Sequence, residues 1–383
     1  MQAKSIHAQS IHEIQSALDD SMADGFKPTL AFVFISIKND LDGVIQLLDQ
    51  AGVQIFGATS SGEFTDGNVS HGSAAILLMD MKPSNFKILF DEYKDKDPAS
   101  VAMDMAKTAK KYFKNPSFML SVSINSRDES EVLLGDPVLK ALESVTGKST
   151  SIWGGRAGDD FIFDESIVFT NKHSSKRAII LLVLDGDQIV VRGEAASGIK
   201  PIGTEKTITK SDGKWIYEID HQPAAEVLLK YLGLKFTPEE AEAFYPKEGI
   251  MFSVNRGLGD PVIRGVGIFN WKDKSFSSLG NIIEGEKFRF CLPPDFTIVD
   301  EVRENAEHIQ KHEIPDADAL LMFSCVGRLG QFGPLINDEI EGVRNAFNVP
   351  MAGFFTYGEF GRARKGDNEF HTSTCCWAVI KEK

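Results

Sequence analysis

The sequence is short of cysteine and has no long apolar segment. Its 383 residues include four cysteines, and none of them forms a CxxC pair or a zinc-binding spacing. We therefore predict buried, reduced thiols rather than disulfides or a zinc site. No apolar stretch reaches the roughly 18 residues of a membrane-spanning helix, and residues 1–15 lack the apolar core of a secretory signal. These absences predict a cytoplasmic protein without a membrane span.

Positive charge is also in short supply. The chain has 41 basic and 55 acidic residues, which gives a formal net charge of −14. Non-specific binding to nucleic acid or to an anionic membrane needs an excess of lysine and arginine, so the balance argues against both partners. Cations, neutral small molecules and other proteins stay open as partners.

Motifs that carry a catalytic mechanism are missing as well. The sequence has no P-loop, no GxSxG, no HExxH, and no GxGxxG that leads into a helix after a strand. The acidic turns described next could supply carboxylates for acid–base chemistry. Because no nucleophile or metal-ligand set accompanies them, we predict no catalytic residues and a protein that is not an enzyme. The alternative is a carboxylate-dependent enzyme that acts on a small metabolite.

A glycine turn that carries an acid is present near both ends of the chain. At 57–64 and again at 353–360, an apolar strand closes with glycine, four residues and then Gly-Glu-Phe. A weaker copy at 152–161 keeps Gly158-Asp159 but has Trp153 where the other two have glycine. Paired glycines permit a sharp turn, and the carboxylate then lies at its apex.

The surroundings of the three turns repeat too. Each turn follows a helix, an apolar strand and a second helix, and each precedes a return strand. The predicted first helices are 9–20, 99–114 and 296–312, and the predicted return strands are 74–80, 178–185 and 374–380. Such repetition indicates duplication, with the first two strands parallel and the return strand antiparallel. We predict an α/β fold in which duplicated helix-strand-helix-strand-strand units form mixed sheets in two related domains.

Glycine and proline between 198 and 213 predict a domain boundary near 200–220. The predicted units are an N-terminal helix in 1–27, a first domain over 28–215 and a second over 216–383. In the second domain, a helix capped by Asp220 is expected to end at Gly233. Further strands are predicted at 249–255, 260–271, 276–279 and 282–292, and Pro293-Pro294 is expected to stop the last of them.

Three segments make the sequence similar to a known family. They are Ser324-Cys-Val-Gly-Arg328, the run from Pro350 to Glu359, and Gly154–Asp159. Together with the turn at 53–64 they resemble the FIST family, with an N-terminal FIST domain at 28–215 and a C-terminal one at 216–383. The resemblance implies an intracellular sensor of small molecules such as amino acids. FIST domains are often joined to chemoreceptors, histidine kinases or cyclic-dinucleotide enzymes.

The same resemblance raises a second possibility for the ligand and the partner. Some stand-alone FIST proteins bind haem, sense nitric oxide and regulate a partner kinase. No residues are left over here for an output domain, so we expect signalling through a separate partner such as a histidine kinase. A haem iron needs an axial ligand in an apolar pocket. Among the eight histidines, His371 adjoins the last strand, whereas His308 and His312 share one helix face. The sequence does not select a haem ligand, and we leave cofactor and metal open.

The glycine turns are the predicted ligand site, because ligands of α/β sheets gather where strands end and crossovers diverge. Glu63, Asp159 or Glu359 would accept hydrogen bonds from an ammonium group. A ligand carboxylate could pair with one of four arginines: Arg156, Arg328, Arg362 and Arg364. An α-amino acid carries both groups. The predicted ligand-binding residues are Thr59, Ser60, Gly62, Glu63, Arg156, Asp159, Arg328, Thr356, Tyr357, Gly358, Glu359 and His371. The alternative interpretation is that the glycines allow tight strand packing and each carboxylate caps its own turn.

Overall fold

A computed structural model describes residues 1–128, 131, 134–235, 250–292, 295 and 297–383. Gly249, Pro293-Pro294 and Phe296, on which some of the predicted boundaries fall, lie outside the described residues. The rest of the chain folds into three interlocked copies of one unit and a separate barrel.

The first copy begins with a strand that the sequence pattern did not predict. Its elements are β1 (Ala3–Ala8), α1 (Ile11–Met22), β2 (Leu30–Ser36), α2 (Leu41–Gln50), β3 (Gln54–Ser60), β4 (Glu63–Thr65), β5 (Asn68–Ser70) and β6 (Ala74–Met79). Helix α1 starts where the Ser10 hydroxyl accepts a hydrogen bond from Glu13 N at 3.3 Å, and it buries Ile14 and Leu18.

The second copy repeats this order. Its elements are β7 (Phe86–Glu92), α3 (Pro98–Tyr112), β8 (Pro116–Val122), α4 (Gly135–Thr146), β9 (Ile152–Gly155), β10 (Val168–Phe169), β11 (Ser174–Ser175) and β12 (Ala178–Asp185). Asp97 caps α3 by accepting from the backbone of Ala99 and Ser100, and Pro98 fits the first turn because its missing N–H would have no helical partner.

The third copy opens with β13 (Ile189–Ala196) and resumes only after the barrel. The barrel contains β14 (Lys206–Asp212), β15 (Trp215–Ile219), β16 (Gln222–Pro223), α5 (Ala224–Leu232), β17 (Met251–Asn255), β18 (Val262–Asn270), β19 (Ser275–Ser278) and β20 (Lys287–Phe290). The copy then continues with α6 (Thr297–His312), β21 (Ala319–Cys325), α7 (Gly327–Phe332), α8 (Leu335–Phe347), β22 (Met351–Thr356), β23 (Glu359–Arg362), β24 (Asn368–His371) and β25 (Cys375–Glu382).

Each copy forms the centre of a six-stranded mixed sheet, which confirms the predicted α/β fold. The strand orders are β1-β6-β2-β3-β10-β11, β7-β12-β8-β9-β23-β24 and β13-β25-β21-β22-β4-β5. In every copy the two strands before the glycine turn are parallel (β2–β3, β8–β9 and β21–β22), and the return strand (β6, β12 or β25) pairs antiparallel with the first of these two. The inner faces of the three sheets share one apolar core, in which Phe34 stacks on Phe354 with 4.5 Å between ring centroids.

The copies are interlocked by an exchange of hairpins. The hairpin that follows each glycine turn pairs with the strand before the turn of a different copy (β3, β9 or β22). It does not pair with the corresponding strand of its own copy. Hairpin β4-β5 extends the sheet of copy three, β10-β11 extends that of copy one, and β23-β24 extends that of copy two. The exchange closes the three sheets into a ring with approximate threefold repetition.

The strand pairings described in the barrel are all antiparallel. Strands β14, β20, β17, β18, β19 and β15 follow one another around it, and a β14–β15 pairing closes it. The predicted cap Asp220 instead lies in a left-handed turn, where it accepts from Thr207 N at 2.9 Å, and α5 begins after Pro223. Gly233, with φ of 70°, ends α5 as predicted.

Candidate functional site

The three glycine turns meet at one junction. Three backbone hydrogen bonds of 2.8–2.9 Å join them: Gly158 N to Thr59 O, Arg156 N to Gly358 O, and Phe355 N to Gly62 O. Gly62 and Gly358 have φ values of 122° and 133°, which residues other than glycine rarely adopt. A Cβ atom on Gly358 would also lie 2.2 Å from the ring of Phe370. The junction therefore depends on glycine for both its backbone conformation and its close packing.

Glu63 and Glu359 occupy equivalent positions at this junction. Glu63 accepts from the Ser60 hydroxyl and, at 3.0 and 2.8 Å, from the backbone and hydroxyl of Ser73. Glu359 accepts from the hydroxyls of Thr356 at 2.5 Å and Thr374 at 2.7 Å. Each carboxyl group thus connects the end of the strand before its glycine turn to the residue before the return strand of the same copy. Burial raises the pKa of both groups to about 7, against the hydrogen bonds that lower it.

Asp159 has a different set of contacts. Its carboxylate accepts from Phe163 N at 3.0 Å, from Asp164 N at 2.6 Å and from the hydroxyl of Tyr357. Burial and this contact with Asp159 raise the pKa of Tyr357. Asp159 therefore holds the loop that follows it and connects that loop to the turn of copy three.

Arg156 and Arg328, the two arginines among the predicted ligand-binding residues, are buried at the same end of the sheets. Arg156 donates through Nε to the Tyr357 carbonyl at 2.9 Å, and burial lowers its pKa to about 10. Arg328 forms a buried ion pair with Glu339 and donates to the carbonyls of Ser197 and Ser373 at 3.0 and 2.9 Å. The structure gives these residues structural partners, and a role for them in ligand binding stays a prediction.

His371, the last predicted residue, lies beside the turn of copy three, where it is the cross-strand partner of Glu359. It ends β24, is 1% exposed, and its Nε2 has no hydrogen-bond partner in the described part of the chain. Burial, followed by the charge of Arg264, lowers its pKa to about 3, whereas a contact with the Gly361 carbonyl favours the proton. The imidazole is therefore neutral at physiological pH.

His371 lines a cavity of about 250 Å³ between the ring of sheets and the barrel. The cavity also contains the acids Glu194 of β13, Asp260 of the barrel and Glu301 of α6. Lys200 is its basic residue, with Nζ 3.3 Å from Glu301. The described lining therefore offers more hydrogen-bond acceptors than cationic donors.

Glu194 is the most buried of these acids, at 7% exposed. Burial raises its pKa to about 7, the charge of Arg364 opposes this rise, and Asn305 Nδ2 donates to its Oε1 at 2.7 Å. Glu194 was not among the ligand-binding residues predicted from the sequence. A signal was present, because an acid stands among small and apolar residues in the second half of the strand Ile189–Ala196.

A second cleft, of about 420 Å³, adjoins the first at Glu194 and Ala363. Its basic residues come from β13, the 362–366 segment and α6: Arg192, Arg362, Arg364, Lys365 and His308. Glu313 lies 3.7 Å from Arg192 and offsets part of this charge. Two neighbouring cavities of opposite character therefore meet at Glu194.

The position of these cavities follows from the fold. We use the word seam for the line where the first strand of a copy faces the hairpin that the same copy contributes to a neighbouring sheet. The β1 seam is closed by contacts of Ser5 with Asp66 and of His7 with Ser70. The β7 seam carries two open surface clefts over the stacked rings of Phe90 and His173. The β13 seam contains the acidic cavity and the basic cleft.

Neither a metal cluster nor a membrane helix is found in the parts of the chain that the structure describes. No group of three or more His, Cys, Asp or Glu side chains there could hold a metal ion. None of the described helices is long and apolar enough to cross a membrane. Cys291, Cys375 and Cys376 are buried free thiols as predicted, and Cys325 is half-buried.

Two family models match the chain. Residues 29–222 match the FIST N domain, and residues 224–362 match the FIST C domain. No curated protein matches the chain. The two matched regions cover the first copy from β2 onward, the second copy, the barrel and the third copy as far as β23.

Proposed function

The chain belongs to the FIST family of sensory domains, and from this premise we propose that it binds a small amino acid-like ligand at the β13 seam. The observation that carries the proposal is that His371, whose buried Nε2 has no partner among the described residues, lines a cavity that also contains Glu194 and Asp260. A buried polar atom without a partner is costly unless a ligand or water satisfies it.

The chemistry of the cavity favours an ammonium group. A neutral imidazole that donates through one ring nitrogen presents the other as an acceptor, and the contact of His371 with the Gly361 carbonyl suits such a donor. Glu194 and Asp260 add carboxylate acceptors. Arg364 and Arg192 in the adjoining cleft suit a ligand carboxylate, because guanidinium groups bind carboxylates through two hydrogen bonds. An amino acid carries both groups.

The size and polarity of the cavity weigh against haem. A volume of about 250 Å³ is below the range of roughly 300–1,000 Å³ that holds larger organic ligands. Charged residues line it, whereas a haem pocket is largely apolar. The haem and nitric oxide branch therefore requires a different site or a large opening of the seam.

Thr374 connects the cavity to the glycine turns. It lines the cavity and donates to Glu359 at 2.7 Å, so a ligand at the seam would act on the junction through one side chain. The predicted turn residues, from Thr59 to Glu359, enter the proposal as the structure that responds to the ligand. We further propose a cytoplasmic location and a separate signalling partner such as a histidine kinase.

Binding of an amino acid should depend on Glu194 and on pH. Glu194 must lose its proton to pair with an ammonium group, so affinity should rise between about pH 6 and pH 8. Glu194→Gln should weaken binding by about 10- to 100-fold, the range for a lost charge-assisted hydrogen bond. Calorimetry with a panel of amino acids measures both effects, after a thermal-shift screen has found the ligand.

Glu304→Gln is the matched control, because Glu304 is an exposed acid on α6 and should leave affinity unchanged. Binding that ignores both Glu194→Gln and pH would refute the proposed site. Loss of a turnover activity in Glu194→Gln would instead support the carboxylate-dependent enzyme. A Soret band of stoichiometric intensity in protein purified from haem-sufficient cells would instead support haem as the ligand.

A further inference from the structure

The loop after Asp159 exposes three consecutive apolar side chains. Phe161, Ile162 and Phe163 are 44%, 52% and 49% exposed, although large apolar residues are normally covered when they occur together. Phe161 and Phe163 contact each other edge to face, with 6.3 Å between ring centroids. Phe163 also stacks on Tyr357 at 4.8 Å and 13°. The three side chains therefore form one fixed patch, which we name the FIF loop.

The backbone of the FIF loop is held in an unfavourable conformation. Asp160, Phe161 and Phe163 have φ values of 55°, 65° and 52°, in the left-handed region that non-glycine residues rarely adopt. Asp159 fixes the loop through its bonds to Phe163 N and Asp164 N, and Asp160 bonds to the Ser36 hydroxyl at 2.7 Å. Polar contacts of Asp159 and Asp160 thus hold the loop in a strained conformation that directs apolar rings toward solvent. Such an arrangement is typical of a binding surface.

Ion pairs surround the FIF loop. The exposed bases are Lys38, Arg127 and Lys176, and their acidic partners at 3.3, 3.2 and 2.6 Å are Asp160, Asp164 and Glu165. This rim is locally neutral on a chain whose net charge is −14. Two molecules of a strongly acidic chain repel each other over most of their surface. At the rim of the FIF loop, however, each molecule presents as many basic as acidic side chains.

We propose that the FIF loop is the centre of a symmetric homodimer. A twofold interface needs a patch that is complementary to itself, and an apolar centre with a rim of paired opposite charges meets that condition. The rings are already ordered by Tyr357 and by the backbone contacts, so little side-chain entropy is lost on association. A stable interface needs roughly 800 Å² per partner, so the charged rim must be part of it.

Sedimentation velocity of the full chain over a series of micromolar concentrations tests the proposal. We expect a dimer for the wild-type chain, and a dissociation constant raised at least about 100-fold by Ile162→Asp, which would bury an unpaired carboxylate. Ile162 itself does not have a positive φ, so the change leaves the strained backbone positions alone. Circular dichroism and the thermal midpoint verify that the variant is folded.

Ile283→Asp in the barrel is the matched control, because Ile283 is the same residue type with 54% exposure. It should leave the dimer intact. Ile162→Cys should form an intermolecular disulfide under mild oxidation, and Ile283→Cys should not. A wild-type chain that is monomeric throughout would overturn the proposal, as would a dimer that survives Ile162→Asp. Binding of the monomer to lipid vesicles through this loop would also overturn it.

Discussion

Arg328→Met should lower the free energy of unfolding by about 3–5 kcal/mol, the largest effect that we expect from a single substitution. Arg328 and Glu339 are 0% and 1% exposed, and the guanidinium also donates to the Ser197 and Ser373 carbonyls. Methionine fills a similar volume but leaves the Glu339 carboxylate buried without a partner. Urea denaturation followed by circular dichroism measures the loss.

Two further variants separate the buried charge from other causes. Arg303→Met removes an arginine from an exposed pair with Asp300 and should cost less than about 1 kcal/mol. The double variant Arg328→Met with Glu339→Leu should regain much of the lost stability, because it removes both charges. If the double variant were as unstable as the single one, the carbonyl contacts of Arg328 would be the dominant cause instead.

Stability should fall as the pH rises from about 4.5 to about 7. Burial raises the pKa of Glu63, Glu194 and Glu359 to about 7 in the folded chain, against an ordinary value of 4.5. The neutral carboxyl groups contribute their full stabilisation at a pH below their pKa in the unfolded chain. This stabilisation is lost as the pH rises through their pKa in the folded chain. The loss is on the order of 3 kcal/mol per group.

His371 acts in the opposite direction. Its folded pKa of about 3 lies below the ordinary 6.5, so the stability that its neutral form contributes is lost as the pH falls below 6.5. We therefore expect maximal stability on the acid side of neutrality. Glu359→Gln should reduce the loss on the alkaline side and should be more stable than wild type at about pH 8. Chemical denaturation at a series of pH values tests this, with exposed Glu341→Gln as control. A wild-type curve that is flat between pH 4.5 and 7 would contradict it.

The repeating units were predictable from sequence because their signals are local. Helix α8 (Leu335–Phe347) can be read from the sequence, since its apolar residues recur at helical spacing. Return strand β12 likewise matches the prediction over 178–185, because seven consecutive apolar residues form a buried strand that ends at Asp185.

The exchanged hairpins gave no such signal. Strands β10 and β11 have two residues each, too few for any periodicity, and the copy that receives a hairpin is decided by packing between sheets. Strand β1 was also missed, because its alternation Lys4, Ser5, Ile6 and His7 is weak. Closure of the barrel depends on the distant β14–β20 and β15–β19 pairings, which no local pattern encodes.

The predictability of the candidate site divides in the same way. The three turns were expected to gather because their motifs repeat, and they do meet. The cavity was not foreseen, because Glu194, Asp260 and His371 come from a strand, a barrel loop and an exchanged hairpin. Only the fold brings these residues together.

The reciprocal donation of hairpins makes the copies mutually dependent. A fragment that ends before the barrel would keep β9 without β23 beside it, and would leave β4 without the edge of β22 on which it lies. Each half would thus display unsatisfied strand edges, which favour aggregation. Although two family models divide the chain, it should behave in evolution and in the cell as one indivisible folding unit.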